Sequence, residues 1–169
     1  MSTEDTIKFE SREQVAETVR LNRDLSGADL SQANLDGAVL AAANMAGLDL
    51  SGTTLNGARI AAANMKGAIL RGAQLKAAKI NAVNLQEADL SEADLSESSW
   101  FAVNVTGADF GDAKTTGARA SAVDWSQAKV PPAEIPEALE MPPWLPALVA
   151  GMAVVFVAGV VLVKRRRRA

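Results

Sequence analysis

At 169 residues the chain has room for one domain and an appendage, and it contains no cysteine, histidine or tyrosine. That composition removes disulfides, thiolate nucleophiles, imidazole bases and most zinc sites, so an enzyme is not expected, nor a cofactor or a metal site. The formal charge of -3 at pH 7 balances a basic run, Lys164 to Arg168, against an acidic remainder, and neither sign is strong enough to name a partner.

The chain opens MSTEDTIKFESREQ, with neither the basic start nor the apolar stretch of a secretory leader, and export by that route is not expected. Ser11 and Gln14 form a capping box for a short helix that sets Val15, Val19 and Leu21 on one side. Residues 1–22 are therefore read as an N-terminal helical cap, covering the raw apolar end of the segment that follows.

From Leu25 a leucine-like residue recurs at every fifth position, through Leu30, Leu35, Leu40, Met45, Leu50, Leu55, Ile60 and Met65 and on to Leu95. Helices repeat their apolar residues at three and four and strands at two, so a strict five belongs to a chain that turns once per repeat. Two residues ahead of each sits a small residue, as at Ala28, Ala33, Ala38 and Ala43, with a polar residue between, often Asp or Asn. The unit is A-(D/N)-L-x-x, cleanest in GADLSQANLDG and EADLSEADLSE, and it resembles the pentapeptide-repeat family over residues 23–130. The resemblance implies an all-β solenoid, a right-handed quadrilateral β-helix with four repeats to the coil and no enzymatic activity. A superperiod of twenty supports that figure here, since AAANMAG at 41, AAANMKG at 61, NAVNLQE at 81, FAVNVTG at 101 and SAVDWSQ at 121 align without gaps. About five coils are expected, spaced as strands are at about 4.8 Å, with the central and small residues inward and the other three outward.

Late central positions lose the consensus, becoming Trp100, Val105, Phe110, Thr115, Ala120, Trp125 and Val130, where the solenoid is expected to close. All six prolines fall between Pro131 and Pro146, and 131–144 is read as a semi-rigid linker. Residues 145–163 carry no charge and would span about 28 Å as a helix, close to the hydrocarbon thickness of a bilayer. They are read as a single transmembrane α-helix contacting the lipid bilayer, with Trp144 at one interface and Lys164, Arg165, Arg166, Arg167 and Arg168 in a basic tail, 164–169, at the other. Ala147, Gly151 and Gly159 form a stripe for helix association and a homodimer. The basic run favours a cytoplasmic tail, whereas the missing leader favours cytosolic repeats held by a tail anchor. The second reading is adopted, a single-pass protein of a bacterial inner membrane with its repeat domain in the cytosol.

Stacking turns the outward positions into columns. Asn44, Asn64, Asn84 and Asn104, followed by Asp124, fall in one, where amides can bond up the stack. Asp29, Asp49, Ile69, Asp89 and Asp109 make a second, and Val39, Arg59, Lys79, Ser99 and Arg119 a third. Beyond the third come Ala42, Ala62, Ala82, Ala102 and Ala122, with Phe101 beside them. This smooth edge, flanked by Arg59, Lys79 and Arg119, is the expected binding surface for an unidentified protein partner, although small residues that merely let a corner turn tightly explain it more plainly. Lys66 with Glu87, Arg71 with Glu92 and Lys76 with Glu97 are expected to pair across coils. The function expected is therefore that of a membrane-anchored scaffold. Two alternatives stand beside it: a DNA-mimicking modulator of a type II topoisomerase such as gyrase, which some members of the resembled family are, and a self-associating structural rod. The mimic is the less suited of these, since residues 25–130 carry eleven acidic and eight basic side chains and the basic column interrupts the negative field a mimic needs; direct nucleic-acid binding is not expected.

Overall fold

A computed structural model describes residues 24–138. The cap expected at 1–22, the apolar span 145–163, and the interface residues Trp144 and Lys164 to Arg168 lie outside the described residues. No described helix is long and apolar enough to cross a membrane.

Residues 24–138 form an all-β parallel solenoid. Its one continuous sheet has six strands in sequence order, all parallel: β1 (Val39–Ala41), β2 (Arg59–Ala61), β3 (Lys79–Asn81), β4 (Ser99–Phe101), β5 (Arg119–Ser121) and β6 (Glu137–Ala138). Between β1 and β5 each residue pairs with the one twenty positions on, so Val39, Arg59, Lys79, Ser99 and Arg119 stand directly above one another. The other three sides of each coil are joined by single bridges with the same step, such as Asn44 to Asn64, Asp49 to Ile69 and Thr54 to Gln74. Backbone bonds run both up and down the stack: Leu50 N–H donates to Ile69 O at 2.7 Å, and Asp49 N–H donates to Ala28 O at 3.0 Å. The interior backbone groups thus find partners although hardly any residue lies in a long strand.

One residue in every repeat makes the corner. From Gly27 to Ala122, every fifth residue has positive φ, whether Gly, Ala, Glu, Gln or Asp. At three corners of each coil the turn is closed by a hydrogen bond, as from Ala28 N–H to Leu25 O at 3.2 Å. The fourth corner is opened out: the strand runs through Ala41, and Ala42 N–H reaches Ala61 O of the next coil at 2.8 Å.

The expected inward positions are the buried ones. Central Leu50, Leu55, Ile60, Met65, Leu70 and Leu75 and small Ala58, Ala63, Ala68 and Ala73 are buried in one continuous core, while the other three residues of each repeat face out. Each buried leucine contributes about 1.5–3 kcal/mol over leaving it in water, and alanine two residues earlier keeps the coil narrow enough for opposite sides to touch. Inward polar residues are satisfied. Thr53 Oγ1 donates to Leu30 O at 2.8 Å, and Ser98 donates to Leu95 O at 2.5 Å while accepting from Trp100 Nε1 at 2.7 Å.

The regular step fails at the C-terminal end, where the sequence suggested an unbroken register to Val130. Asp124 caps a single 3-10 turn, Trp125–Gln127, by accepting from Ser126 N–H, and so leaves the asparagine column it was expected to extend. Trp125 swings onto Trp100 and Phe110, with ring centroids 5.8 and 5.4 Å away. The turn uses one extra residue. Val130 therefore pairs with outward Asp109 rather than taking a central position, and Phe110 N–H donates to Val130 O at 2.9 Å. The chain then returns early: Glu137 lies beside Arg119, eighteen positions on, and its backbone N–H donates to Ala118 O at 3.1 Å. The first half of the segment expected to be a free proline spacer thus lies against the solenoid. Pro132 and Pro136 are buried, and Thr115 Oγ1 donates to Glu134 O at 2.6 Å. Prolines carry no N–H, which suits a closing segment that makes few ladder bonds.

Candidate interaction faces

Each coil presents four sides, here numbered in chain order by their outward columns. The first carries Asp24, Asn44, Asn64, Asn84 and Asn104. Their side chains form a ladder in which each amide Nδ2 donates to the Oδ1 of the residue below, at 3.1 to 3.2 Å from Asn44 on Asp24 to Asn104 on Asn84. At Asn64 and Asn84 the same Oδ1 also holds the local turn, accepting from Lys66 N–H at 3.3 Å and from Gln86 N–H at 3.2 Å. An amide engaged both within and between coils has little left to offer a ligand, and the ladder sets the register of the stack.

The second side carries Asp29, Asp49, Ile69, Asp89 and Asp109, bridged in that order. Its aspartates accept from the residue two on, Ser31, Ser51, Ser91 and Gly111 respectively. Lys129 reaches Asp109 Oδ2 at 3.3 Å, and the Gly111 N–H bond, opposed by slight burial and helped by Lys129, holds that carboxyl below the ordinary range. Asp24 and Asp124 are held low in the same way, first by the hydroxyls of Ser26 and Ser126. On the third side burial works against Asp94, but the Ser96 hydroxyl and amide together with Lys76 prevail and keep its pKa low. Among the described residues no cluster of acidic side chains suits a metal ion.

Two of the three expected cross-coil pairs form, Lys66 with Glu87 at 3.7 Å and Arg71 with Glu92 at 2.6 Å. The Glu92 bond raises the Arg71 pKa further. Lys76 does not take Glu97; it meets Asp94 at 3.4 Å. Asp94 is short, largely covered and fixed by Ser96, whereas Glu97 stands exposed on a left-handed corner, and the anchored carboxylate is the better partner. Such surface pairs contribute about 0–1 kcal/mol each.

The fourth side is the six-stranded sheet, and it gathers the residues singled out from the sequence. Arg59, Lys79 and Arg119 lie exposed in one column, with Val39 ahead of Arg59 and Ser99 between Lys79 and Arg119. Phe101 lies in the next column, 40% exposed and level with Ala61 and Asn81. Ala42, Ala62, Ala82, Ala102 and Ala122 form the corner beyond, all exposed and all left-handed with φ from 51 to 55°. A methyl there leaves the corner flush with the sheet, and these alanines do turn the corner, the plainer reading of the column, through a left-handed backbone that the sequence alone did not reveal. No acidic residue stands on this side between Val39 and Ala122. Sequence reasoning passed over Ile69, 40% exposed in the middle of the acidic second side, and Val39, 61% exposed at the sheet edge; a break in a column's chemistry was the signal for both.

Comparison with known proteins agrees with the geometry. Residues 24–60 and 58–97 match the pentapeptide repeats family in eight copies. Among solved structures, the solenoid is similar to a pentapeptide repeat protein, Rfr23, from the cyanobacterium Cyanothece 51142, at 21% identity and a TM-score of 0.53, over 68% of this chain and 99% of that one. It also matches a pentapeptide repeat protein from the Arabidopsis thaliana thylakoid lumen, at 26% identity and TM-score 0.44, over 64% of this chain and 67% of that one. A third match is QnrB1, a plasmid-mediated fluoroquinolone resistance protein, at 21% identity and TM-score 0.40, over 86% of this chain and 75% of that one. A comparison with curated proteins gave no match. With its repeats matched over residues 24–97 and the same coil carried on to β6, the described solenoid is built of pentapeptide repeats.

Proposed function

We propose that the protein is a membrane-tethered, non-enzymatic scaffold that offers the fourth side of its solenoid to a protein partner. The observation that carries this reading is the sheet itself. Among the described residues it is the one side with continuous strands, it is free of carboxylates from Val39 to Ala122, and it ends in a flush alanine corner beside exposed Phe101. A flat, stiff surface with an aromatic anchor and a cationic row has the make-up of a docking patch. The tether rests on the apolar sequence 145–163 and its basic tail.

The test is the double substitution Ala62→Glu with Ala82→Glu. Both corners have φ near 52°, and Glu87, Glu92 and Glu97 already occupy such corners at 59 to 61°, so the coil accommodates glutamate there. Capture of the partner from cells by the full chain should be lost while the thermal transition stays in place; unchanged capture would move the binding site off this side. The reading also puts the solenoid on the cytosolic side of a bacterial inner membrane. Protease added to intact cells should then leave the repeats whole and cut them in inverted vesicles, and the reverse pattern would place the protein on the outer surface. A DNA-mimicking role would need an unbroken negative row, and the second side, the most acidic, is interrupted by Ile69 with Arg71 beside it.

A further inference from the structure

We propose that a second copy of this chain occupies the fourth side, laying its own second side against it with the two solenoid axes pointing the same way. The inference rests on the reading of the fourth side as a docking surface and names its occupant. On the fourth side the cations stand on the second, third and fifth rungs, Arg59, Lys79 and Arg119, and the gap at the fourth rung holds Ser99 with Phe101 two residues on. On the second side the carboxylates stand on the first, second, fourth and fifth rungs, and the gap at the third is Ile69. Both columns share the coil spacing of about 4.8 Å. Shifted by one coil, the patterns interlock: Arg59 meets Asp29, Lys79 meets Asp49, Arg119 meets Asp89, and the exposed Phe101 rung falls on exposed Ile69. Two apolar side chains that lie out of place on their own sides thus cover each other. In Asp49 and Asp89 the local turn is made by Oδ1, so the turn does not use the other oxygen of either carboxylate.

An antiparallel pairing also sets three cations on three carboxylates, but it is the poorer one. It puts Arg59 on Asp109, which already holds Lys129, and it brings Glu137 against Asp29. In the parallel pairing Glu137 meets Asp109, whose charge Lys129 balances. The contact joins two different surfaces, so one copy keeps a vacant second side and the other a vacant fourth side, and the association is open-ended.

The chain has no native cysteine, which makes cross-linking clean. Full-length Ile69→Cys and Ser99→Cys proteins, mixed in vesicles of phosphatidylcholine and phosphatidylglycerol and treated with a short bismaleimide, should give a heterodimer band. Gln74→Cys, on the third side, should give none with Ser99→Cys. Adding Arg59→Glu and Lys79→Glu to the Ser99→Cys protein should abolish the band, and Asp29→Lys with Asp49→Lys in the Ile69→Cys partner should restore it. Raised salt should weaken the cross-link, because these charges lie at the surface. A band no stronger than the Gln74→Cys control, or one that the charge swap fails to restore, overturns the proposal. Washing the same vesicles with carbonate reports separately on the tether: protein retained without a cross-link defeats the pairing alone, and protein extracted defeats the anchor.

Discussion

Truncating Trp100 to alanine is expected to remove about 3–5 kcal/mol of stability, the range for deleting a large buried aromatic. Trp100 is fully buried, its indole N–H bonds to the buried Ser98 hydroxyl at 2.7 Å, and its ring meets both Phe110, at 6.1 Å, and Trp125. The substitution therefore opens a cavity, leaves Ser98 without its donor and takes the floor from under the turn that closes the C-terminal end. Chemical and thermal unfolding followed by circular dichroism should show the loss, with the midpoint lowered by about 10–20 °C for a domain of this size. Trp100→Phe keeps a ring in place and should lose much less. A loss under about 1 kcal/mol for Trp100→Ala would mean that the end of the stack is closed by something other than the aromatic cluster.

Leu70→Ala should cost about 2–5 kcal/mol, and it should also change the form of the transition. Leu70 is buried in the third coil, in the inward column it shares with Leu50 and Leu90 at steps of twenty. Each coil contacts only the coils above and below it, so stability is carried by nearest-neighbour interfaces along a single line. A cavity at the centre weakens both interfaces of one coil, and the two halves of the stack should begin to melt separately, giving a broader denaturant transition with a smaller slope. Leu25→Ala, in the first described coil, has one neighbouring coil rather than two among the described residues and should lower the midpoint with little broadening. Equal slopes for both variants would show that the solenoid unfolds as one block.

The sequence announces most of this architecture because a five-residue period has few physical solutions. Which residue is buried, which columns stack and which amides ladder all follow from counting by five and by twenty, and Asn44 to Asn104 fall where that count puts them. The misses share one cause, that counting knows nothing of local competition. Asp124 sits at the right number for the ladder but is followed by a serine and a tryptophan seeking the aromatic cluster, and capping the 3-10 turn wins. Once that turn takes its extra residue, Val130 cannot be central, and the segment with Pro132 and Pro136, which periodicity marks as foreign, finds its place through Thr115 and Glu137 instead. The alanine corner was visible as a column, but its left-handed backbone was not, because alanine rather than glycine occupies it. Of the candidate surface, the basic column and the alanines were legible in the sequence. That they flank the only continuous sheet among the described residues was not, since all four sides have the same repeat.

Because every repeat turns the chain through one corner, the number of residues between two positions also fixes the angle between them around the axis. Inserting or deleting one repeat would leave every side chain as well buried as before, yet rotate all that follows by a quarter turn. A five-residue insertion after Gly57 would carry Lys79 and Arg119 off the sheet side and bring other columns beneath the same partner. Only changes of whole coils, twenty residues at a time, preserve what each side displays. The solenoid thus tolerates length variation in its stability while being intolerant of it in its surface. The shortened return at β6, eighteen residues instead of twenty, ends that phase, so no further coil could be added beyond it in step with the rest.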